Sequence, residues 1–284
     1  MTMCCKGTLM DLSHPRVMGV LNSTPDSFFD GGKYWDPYLG LKQVEVMLRD
    51  GADFIDVGGY SSRPGAPDVP ETEELKRVIP MVEGLLEEFP EALISVDTFR
   101  AEVARQALDA GAAMVNDISA GLRDPAMLPL IAERQVPYVM MHMRGTPQTM
   151  GTQTEYENLV TDILYYFSER LSEARKLGIT DCIADPGFGF AKTKEQNFEL
   201  LSALSAFKTL NTPLLIGLSR KSMIHKTLEI SPEEALNGTT ALHMIALEGG
   251  ANILRVHDVR EARECVQLWE ALAEYLSLIH ISEP

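Results

Sequence analysis

The amino-acid sequence predicts a single closed (β/α)8 barrel, an α/β fold, and three observations carry that expectation. Eight short β-branched or apolar runs recur along the chain, each bounded by turn residues and followed by a stretch of helical periodicity. They begin roughly 34 residues apart, and no shift in composition divides the 284 residues into two domains. Several runs are apolar throughout, the pattern of parallel strands covered on both faces. A doubly wound open sheet is the second arrangement compatible with this alternation.

In chain order the predicted strands are Val17–Asn22, Phe54–Gly58, Leu93–Asp97, Ala113–Asp117, Pro137–His142, Cys182–Asp185, Pro213–Ser219 and Asn252–His257. The helices between them carry start signals. Thr154-x-x-Glu157, Thr193-x-x-Gln196 and Ser231-Pro232-x-Glu234 have capping-box spacing ahead of apolar-periodic stretches, and Asp124-Pro125 sets a cap before a proline at the first helical position. Leu159, Ile163, Phe167 and Leu171 repeat every four residues and line one helix face. In the acid-rich stretch Glu71–Glu88, Leu75, Ile79, Val82 and Leu86 are expected to turn inward and leave the acids in water. Two βα loops, Ser23–Asp36 and Gly59–Pro70, have the length of lids or binding loops. The barrel, with a short N-terminal extension, is expected to span residues 1–276, and residues 277–284 to form a tail outside the fold. Helices Ser231–Glu248 and Val259–Leu276 carry Leu242, Ile245 and Leu268, which suit either the barrel or a dimer surface.

A formal net charge of -16 argues against nucleic acid as a partner, because binding a polyphosphate backbone rests on surplus Lys and Arg. No apolar run approaches the ~18 residues of a membrane span, and the opening MTMCCKGTLMDLSHP lacks a basic segment followed by an apolar one. A cytoplasmic location is the expectation. Cys4, Cys5, Cys182 and Cys265 form neither a disulfide framework nor a zinc-ligand spacing, so reduced, structural thiols are expected. The 14 methionines read as core filler.

In a barrel the chemistry sits at the C-terminal ends of the strands. Here those ends carry Asn22, Asp97, Asn116, Asp117, His142, Asp185, Ser219-Arg220-Lys221, Arg255 and His257. A single Asn or Asp in such a place is commonly a helix cap, but caps do not require Lys and Arg beside carboxylates. Asp97, Asn116 and Asp185 suit a ring bearing N–H groups, whereas Arg63, Arg220, Arg255 and His257 suit an anion. A ligand with two ends follows: a flat heterocycle held low against the carboxylates and a phosphate or diphosphate at a cationic rim. His142 reads as a satisfied rim histidine, and His14, His225, His243 and His280 as structural or exposed.

The segments MGVLNSTPDSFFDGG (18–32), DVGGYSSRPGA (56–66), SVDT (95–98), VNDIS (115–119), MMHMRGTP (140–147), DPGFGF (185–190), GLSRKS (217–222) and RVHDV (255–259) occur in unbroken order. Together they resemble the dihydropteroate synthases, the targets of sulfonamides, over about residues 2–276. The resemblance implies a (β/α)8 barrel, a homodimer, that joins 6-hydroxymethyl-7,8-dihydropterin diphosphate to 4-aminobenzoate and releases diphosphate. It also implies roles. Asp97, Asn116, Asp185 and Lys221 would hold the pterin, with Gly217 beside them, Ile118, Met141 and Phe190 as apolar walls, and Arg255 over the ring. Asn22 would ligate Mg2+ together with diphosphate oxygens and water, while Ser62, Arg63, Arg255 and His257 would bind the diphosphate. Aminobenzoate would lie among Phe28, Ser62, Pro64, Phe190, Lys221 and Ser222. Lys221, Arg255, His257 and Arg63 would carry the catalytic load. The second loop departs from the family pattern: an acidic residue is usual at Tyr60 and Thr at Ser62, where a lost methyl is worth ~0.8 kcal/mol of packing.

Three other functions fit parts of this pattern. A corrinoid-linked methyltransferase would hold a pterin with similar Asp and Asn residues but needs no diphosphate site. A Schiff-base aldolase would use Lys221 as nucleophile but leaves Asp97, Asn116 and Asp185 unexplained. A non-catalytic pterin-binding subunit has no use for Asn22, Arg63, Lys221, Arg255 and His257 together.

Overall fold

The computed structural model describes residues 1–22, 37–60 and 68–280. An N-terminal antiparallel hairpin, β1 (Thr2–Cys5) and β2 (Thr8–Asp11), precedes eight parallel strands. These are β3 (Arg16–Asn22), β4 (Phe54–Gly58), β5 (Ile94–Asp97), β6 (Met114–Asp117), β7 (Tyr138–Met141), β8 (Cys182–Asp185), β9 (Leu215–Ile216) and β10 (Ile253–Val256). Each lies within a residue or three of its expected bounds. Pairing runs in chain order from β3 to β8, while β3 also pairs with β10 and β10 with β9. A parallel bridge between Ala184 and Leu214 completes the ring, so the sheet is a barrel and the open-sheet alternative is set aside.

Period-two alternation sorts the strand residues. Val17, Ile55, Ile94 and Val115 face the helices in one core, whereas Met18, Phe54, Met114, Val139, Ile183, Leu215 and Ile253 fill the interior near the strand starts. The hairpin adds Met3 and Cys5 to that inner cluster, with Leu12 following it. The N-terminal extension is therefore a plug under the barrel, a role that nothing in its short sequence announces.

The described helices are α1 (Pro37–Arg49), α2 (Glu71–Glu88), α3 (Ala101–Asp109), α4 (Met127–Arg134), α5 (Leu159–Lys176), α6 (Lys194–Ser202), α7 (Ser222–Leu228), α8 (Leu236–Gly249) and α9 (Val259–His280). Thr193 and Gln196 form the expected capping box at α6. The other two spacings behave differently. Asn158, not Thr154, caps α5 by accepting from the Thr161 N–H, because the apolar stripe Leu159, Ile163, Phe167 and Leu171 starts one residue after it. Glu234 accepts from the Ser231 N–H at 3.0 Å, but this closes a turn ahead of α8. Asp124 does not cap α4, which begins at Met127 after Ala126; its carboxylate closes a turn by accepting from the Ala126 N–H and also accepts from the N–H of Ala101, which ties the start of α4 to α3.

In α2 the fully inward residues are Glu74, Val78, Met81, Val82 and Leu85, a stripe turned by about one residue from the expected one, with Leu75, Ile79 and Leu86 only partly covered. The last helix passes the expected end at Leu276 and continues to His280, so the first four residues of the expected tail are helical; residues 281–284 lie outside the described residues. All four cysteines are unpaired thiols, with burial pushing Cys5 and Cys182 to about 11. Among the described residues no helix is long and apolar enough to cross a membrane.

Candidate active site

Strand register lines up the polar residues at the C-terminal mouth. Asn22 pairs with Gly58, Gly58 with Asp97, and Asp97 with Asn116, so one row of the barrel carries three of the expected ligand-binding side chains. Asp185 closes β8, in register with Met141 at the end of β7. Parallel strands of similar length end together, which is how residues far apart in sequence reach one mouth.

At the centre lies a residue the sequence reading did not single out. Asp56, the third residue of β4, is 1% exposed, and its Oδ2 accepts from Arg255 Nε at 2.7 Å and from Asn116 Nδ2 at 3.0 Å. Its Oδ1 is buried with no hydrogen-bond partner among the described residues. Arg255 Nη2 also donates to Asp97 Oδ2 at 2.8 Å, so one guanidinium holds two carboxylates. The signal was present: an Asp inside the apolar run Phe54–Gly58 has to find a partner once both faces are covered.

This geometry sets the charges. Burial, partly opposed by Arg255 and reinforced by Asp56, pushes Asp97 up to about 7. Burial lowers the Arg255 guanidinium, but Asp56 and Asp97 more than compensate and hold it above its ordinary value. Asp185 is raised by burial against the pull of the Gly187 N–H, Lys221 and Arg255. Lys221 is pushed by burial down to about 8, with Asp185 holding it up. Its Nζ donates to the Phe188 carbonyl and lies 4.3 Å from the centre of the Phe190 ring.

The loop after β8 is shaped for close approach. Gly187 (φ +73°) accepts no side chain, since a Cβ would stand 2.1 Å from the His142 carbonyl oxygen, and its N–H donates to Asp185 Oδ1 at 2.8 Å. Gly189 (φ +79°) lets the Lys221 chain pass, a Cβ there lying 2.9 Å from Lys221 Cδ. Ile118, Met141 and Phe190 fall in one apolar cluster with Tyr60, Phe99 and Met143, as the expected walls of a flat-ring pocket should. Gly217 has open space where a Cβ would project.

Other expected site residues sit apart from this centre. His257 is exposed at the rim, with its ring Nδ1 3.0 Å from Ser219 Oγ. Ser222 is exposed at the first turn of α7. Arg220, read as an anion ligand, is instead committed to Asp258 by two hydrogen bonds of 2.8 and 2.6 Å, because a left-handed turn (φ +55°) swings it away from Lys221. Asp117 is structural: it accepts from Ser119, Gly121 and Tyr138. Phe28, Ser62, Arg63 and Pro64 lie outside the described residues. Tyr60, at the start of their loop, packs edge-on against Phe99 at 5.2 Å and donates to Asp68.

Among the described residues no three His, Cys, Asp or Glu side chains could hold a metal together. Asn22, at the mouth end of β3, offers a single neutral amide oxygen, so among the described residues a cation beside it would draw most of its ligands from substrate oxygens and water.

The chain is similar to known proteins over most of its length. Residues 18–257 match the pterin binding enzyme family. Dihydropteroate synthase of Escherichia coli (strain K12) is 45% identical over 273 residues, covering 95% of this chain and 96% of that protein. Among solved structures, Xanthomonas albilineans dihydropteroate synthase with 4-aminobenzoic acid superposes with a TM-score of 0.89 at 40% identity, covering 96% of this chain and 98% of that one. The same organism's enzyme in complex with 7,8-dihydropteroate gives 0.86 at 38% identity, covering 96% and 99%. The chain belongs to the dihydropteroate synthase family of pterin-binding enzymes.

Proposed function

We propose that this enzyme transfers the pterinylmethyl group of 6-hydroxymethyl-7,8-dihydropterin diphosphate to the amine of 4-aminobenzoate, giving 7,8-dihydropteroate and diphosphate in folate biosynthesis. The observation that carries the reading is the buried cluster of Asp56, Asp97, Asn116 and Arg255, with Asp185 and Lys221 facing the same mouth. Asp56, Asp97 and Asp185 make this a carboxylate-rich pit around Arg255 and Lys221, which favours a ligand that presents N–H donors and develops positive charge. An aldolase requires no such pit, and Lys221 is already committed to the Phe188 carbonyl.

The chemistry follows from this charge pattern. The methylene C–O bond breaks with its electron pair passing to the diphosphate, and the cation that remains is delocalised over the dihydropterin ring. Asp97 and Asp185 stabilise that cation and orient the ring through its N–H groups. Phe190 with the stem of Lys221 walls off the face from which the amine adds. An arylamine is neutral near pH 7, so its lone pair forms the C–N bond without a base, and the proton leaves afterwards. Arg255 keeps Asp56 and Asp97 in place while its flat face lies available for stacking. His257, at the rim, suits the departing anion, and with Arg63 and Ser62 completes the proposed diphosphate site.

Asn22 would hold Mg2+, which when bound neutralises charge on the leaving diphosphate. A homodimer through α8 and α9 is proposed from Ile245 (49% exposed), Leu268 (66%) and Leu272 (50%), apolar residues turned away from the core; Leu242 packs inward instead. A cytoplasmic location accords with a small-molecule transferase of this kind. Incubation with the pterin diphosphate, 4-aminobenzoate and Mg2+ should yield 7,8-dihydropteroate and one equivalent of diphosphate. Pterin binding without turnover would favour the non-catalytic alternative.

A further inference from the structure

We propose that Lys192 is a positioning residue of the pterin site, an internal ammonium post around which the loop following Asp185 is wound. The inference rests on the pterin-binding reading above. Lys192 is buried, and its Nζ meets the Gly187 carbonyl at 3.0 Å, the Phe190 carbonyl at 3.1 Å and His142 Nδ1 at 3.1 Å. An ammonium has three N–H donors, and these three acceptors use all of them. None remains for a substrate, so Lys192 is no proton donor to the reaction.

The need for such a post lies in the loop's backbone. Gly187, Gly189 and Ala191 all have left-handed φ, so the loop from Pro186 to Lys192 runs as neither strand nor helix. Within it the Gly187 carbonyl accepts from the Phe190 N–H at 3.1 Å and the Ala191 carbonyl from the Tyr156 hydroxyl at 2.9 Å, which leaves the Phe188 and Phe190 carbonyls and the second lone pair of Gly187 to side-chain donors. Buried carbonyls require donors. Lys192 supplies them at Gly187 and Phe190, and Lys221 supplies one at Phe188 from the other side. Asn197 fixes the middle of the loop by accepting from the Gly189 N–H at 2.7 Å. The consequence reaches the ligand through two residues. Gly187 presents the N–H that holds Asp185 Oδ1, and Phe190 carries the ring beneath Lys221.

The charges agree. Burial pushes Lys192 down to about 7, Asp185 holds it up, and Lys221 and Arg144 press it further down. His142 lies well below its ordinary value through burial and the charges of Lys192 and Arg144, so its imidazole is neutral and Nδ1 is able to accept. Lys192 in turn is one of the cations that help to keep Asp185 ionised.

The test compares Lys192→Met and Lys192→Gln with the unaltered protein. Calorimetric titration with 6-hydroxymethyl-7,8-dihydropterin diphosphate and Mg2+ gives the pterin affinity, steady-state kinetics give KM and kcat, and circular dichroism reports the fold. Met fills the space without donors and should weaken pterin binding at least tenfold. Gln restores two donors without the charge and should fall between Met and Lys. At saturating substrates kcat should fall in the same order as affinity, Lys above Gln above Met, because Asp185 also stabilises the cation that forms; a merely structural role would lower the melting temperature without producing that order. Equal affinity in the folded variants, or a lowered melting temperature with pterin binding intact, overturns the proposal. If Lys192→Met does not fold, Lys192→Gln decides alone, and an affinity equal to that of the unaltered protein is the overturning result. Failure of the unaltered protein to bind the pterin would instead overturn the functional reading.

Discussion

Asp56 and Arg255 meet at 2.7 Å inside the barrel, and the same carboxylate oxygen receives the amide of Asn116. The pair thus fixes two of the side chains expected to face the pterin. Asp56→Ala should leave the Arg255 guanidinium with a single carboxylate and the Asn116 amide without its acceptor. The expected loss is about 3–5 kcal/mol of stability, the range for breaking a buried pair, seen as a lower melting temperature. An unchanged melting temperature would mean that Asp97 and water suffice to hold Arg255.

Pterin binding should have a pH optimum between about 7 and 8. Asp97, raised to about 7, becomes a full acceptor only as pH rises through that value, while Lys192, lowered to about 7, and Lys221, lowered to about 8, give up their charges as pH rises further and together make the alkaline limb. Affinity measured across pH 5.5–9.5 should fall by about tenfold per pH unit on each side at most. Asp97→Asn should abolish the acid limb and keep the alkaline one; an acid limb that survives in this variant belongs to another group.

Asp97→Asn should also stabilise the ligand-free protein at pH 8. A carboxyl whose folded pKa is raised contributes stability below its unfolded value, and that contribution is lost as pH rises through the folded value of about 7. Removing the charge removes the loss, while an amide oxygen can still accept from Arg255 Nη2. The gain expected is on the order of 1–2 kcal/mol, together with loss of pterin affinity, as functional sites commonly show. Thermal melts at pH 5 and pH 8 should show the gain at pH 8 only.

Lys221 is proposed to act through hydrogen bonding and charge, with no covalent bond to substrate. Borohydride added during turnover should therefore leave the protein mass unchanged. A mass increase at Lys221 would restore the Schiff-base reading.

Strand number, order and location of the mouth were legible because parallel strands in a barrel need apolar residues on both faces, and each run such as Phe54–Gly58 announces itself. The position of Asp97, Asn116, Asp185 and Lys221, the set proposed to face the pterin, was legible for the same reason, as each follows or ends such a run. What escaped lies where burial reverses the usual meaning of a side chain. Asp56 sits within a strand, and Lys192 and Glu74 are charged residues that point inward. Glu74 accepts from Thr98 Oγ1 at 2.6 Å and pairs with Arg100, so one acid of a seemingly solvated helix face braces the loop after β5. Arg220 illustrates the converse, since sequence adjacency to Lys221 does not reveal the left-handed turn that sends it to Asp258.

The hairpin packed beneath the barrel closes the strand-start end of its interior. Met3, Cys5 and Leu12 pack there against Met18, Phe54 and Ile253, so among the described residues that end is filled with apolar side chains. Asp97, Asn116 and Asp185 stand at the opposite end, where the strands finish. A substrate proposed to reach them would come in by that mouth, and its product would back out the way its parts arrived.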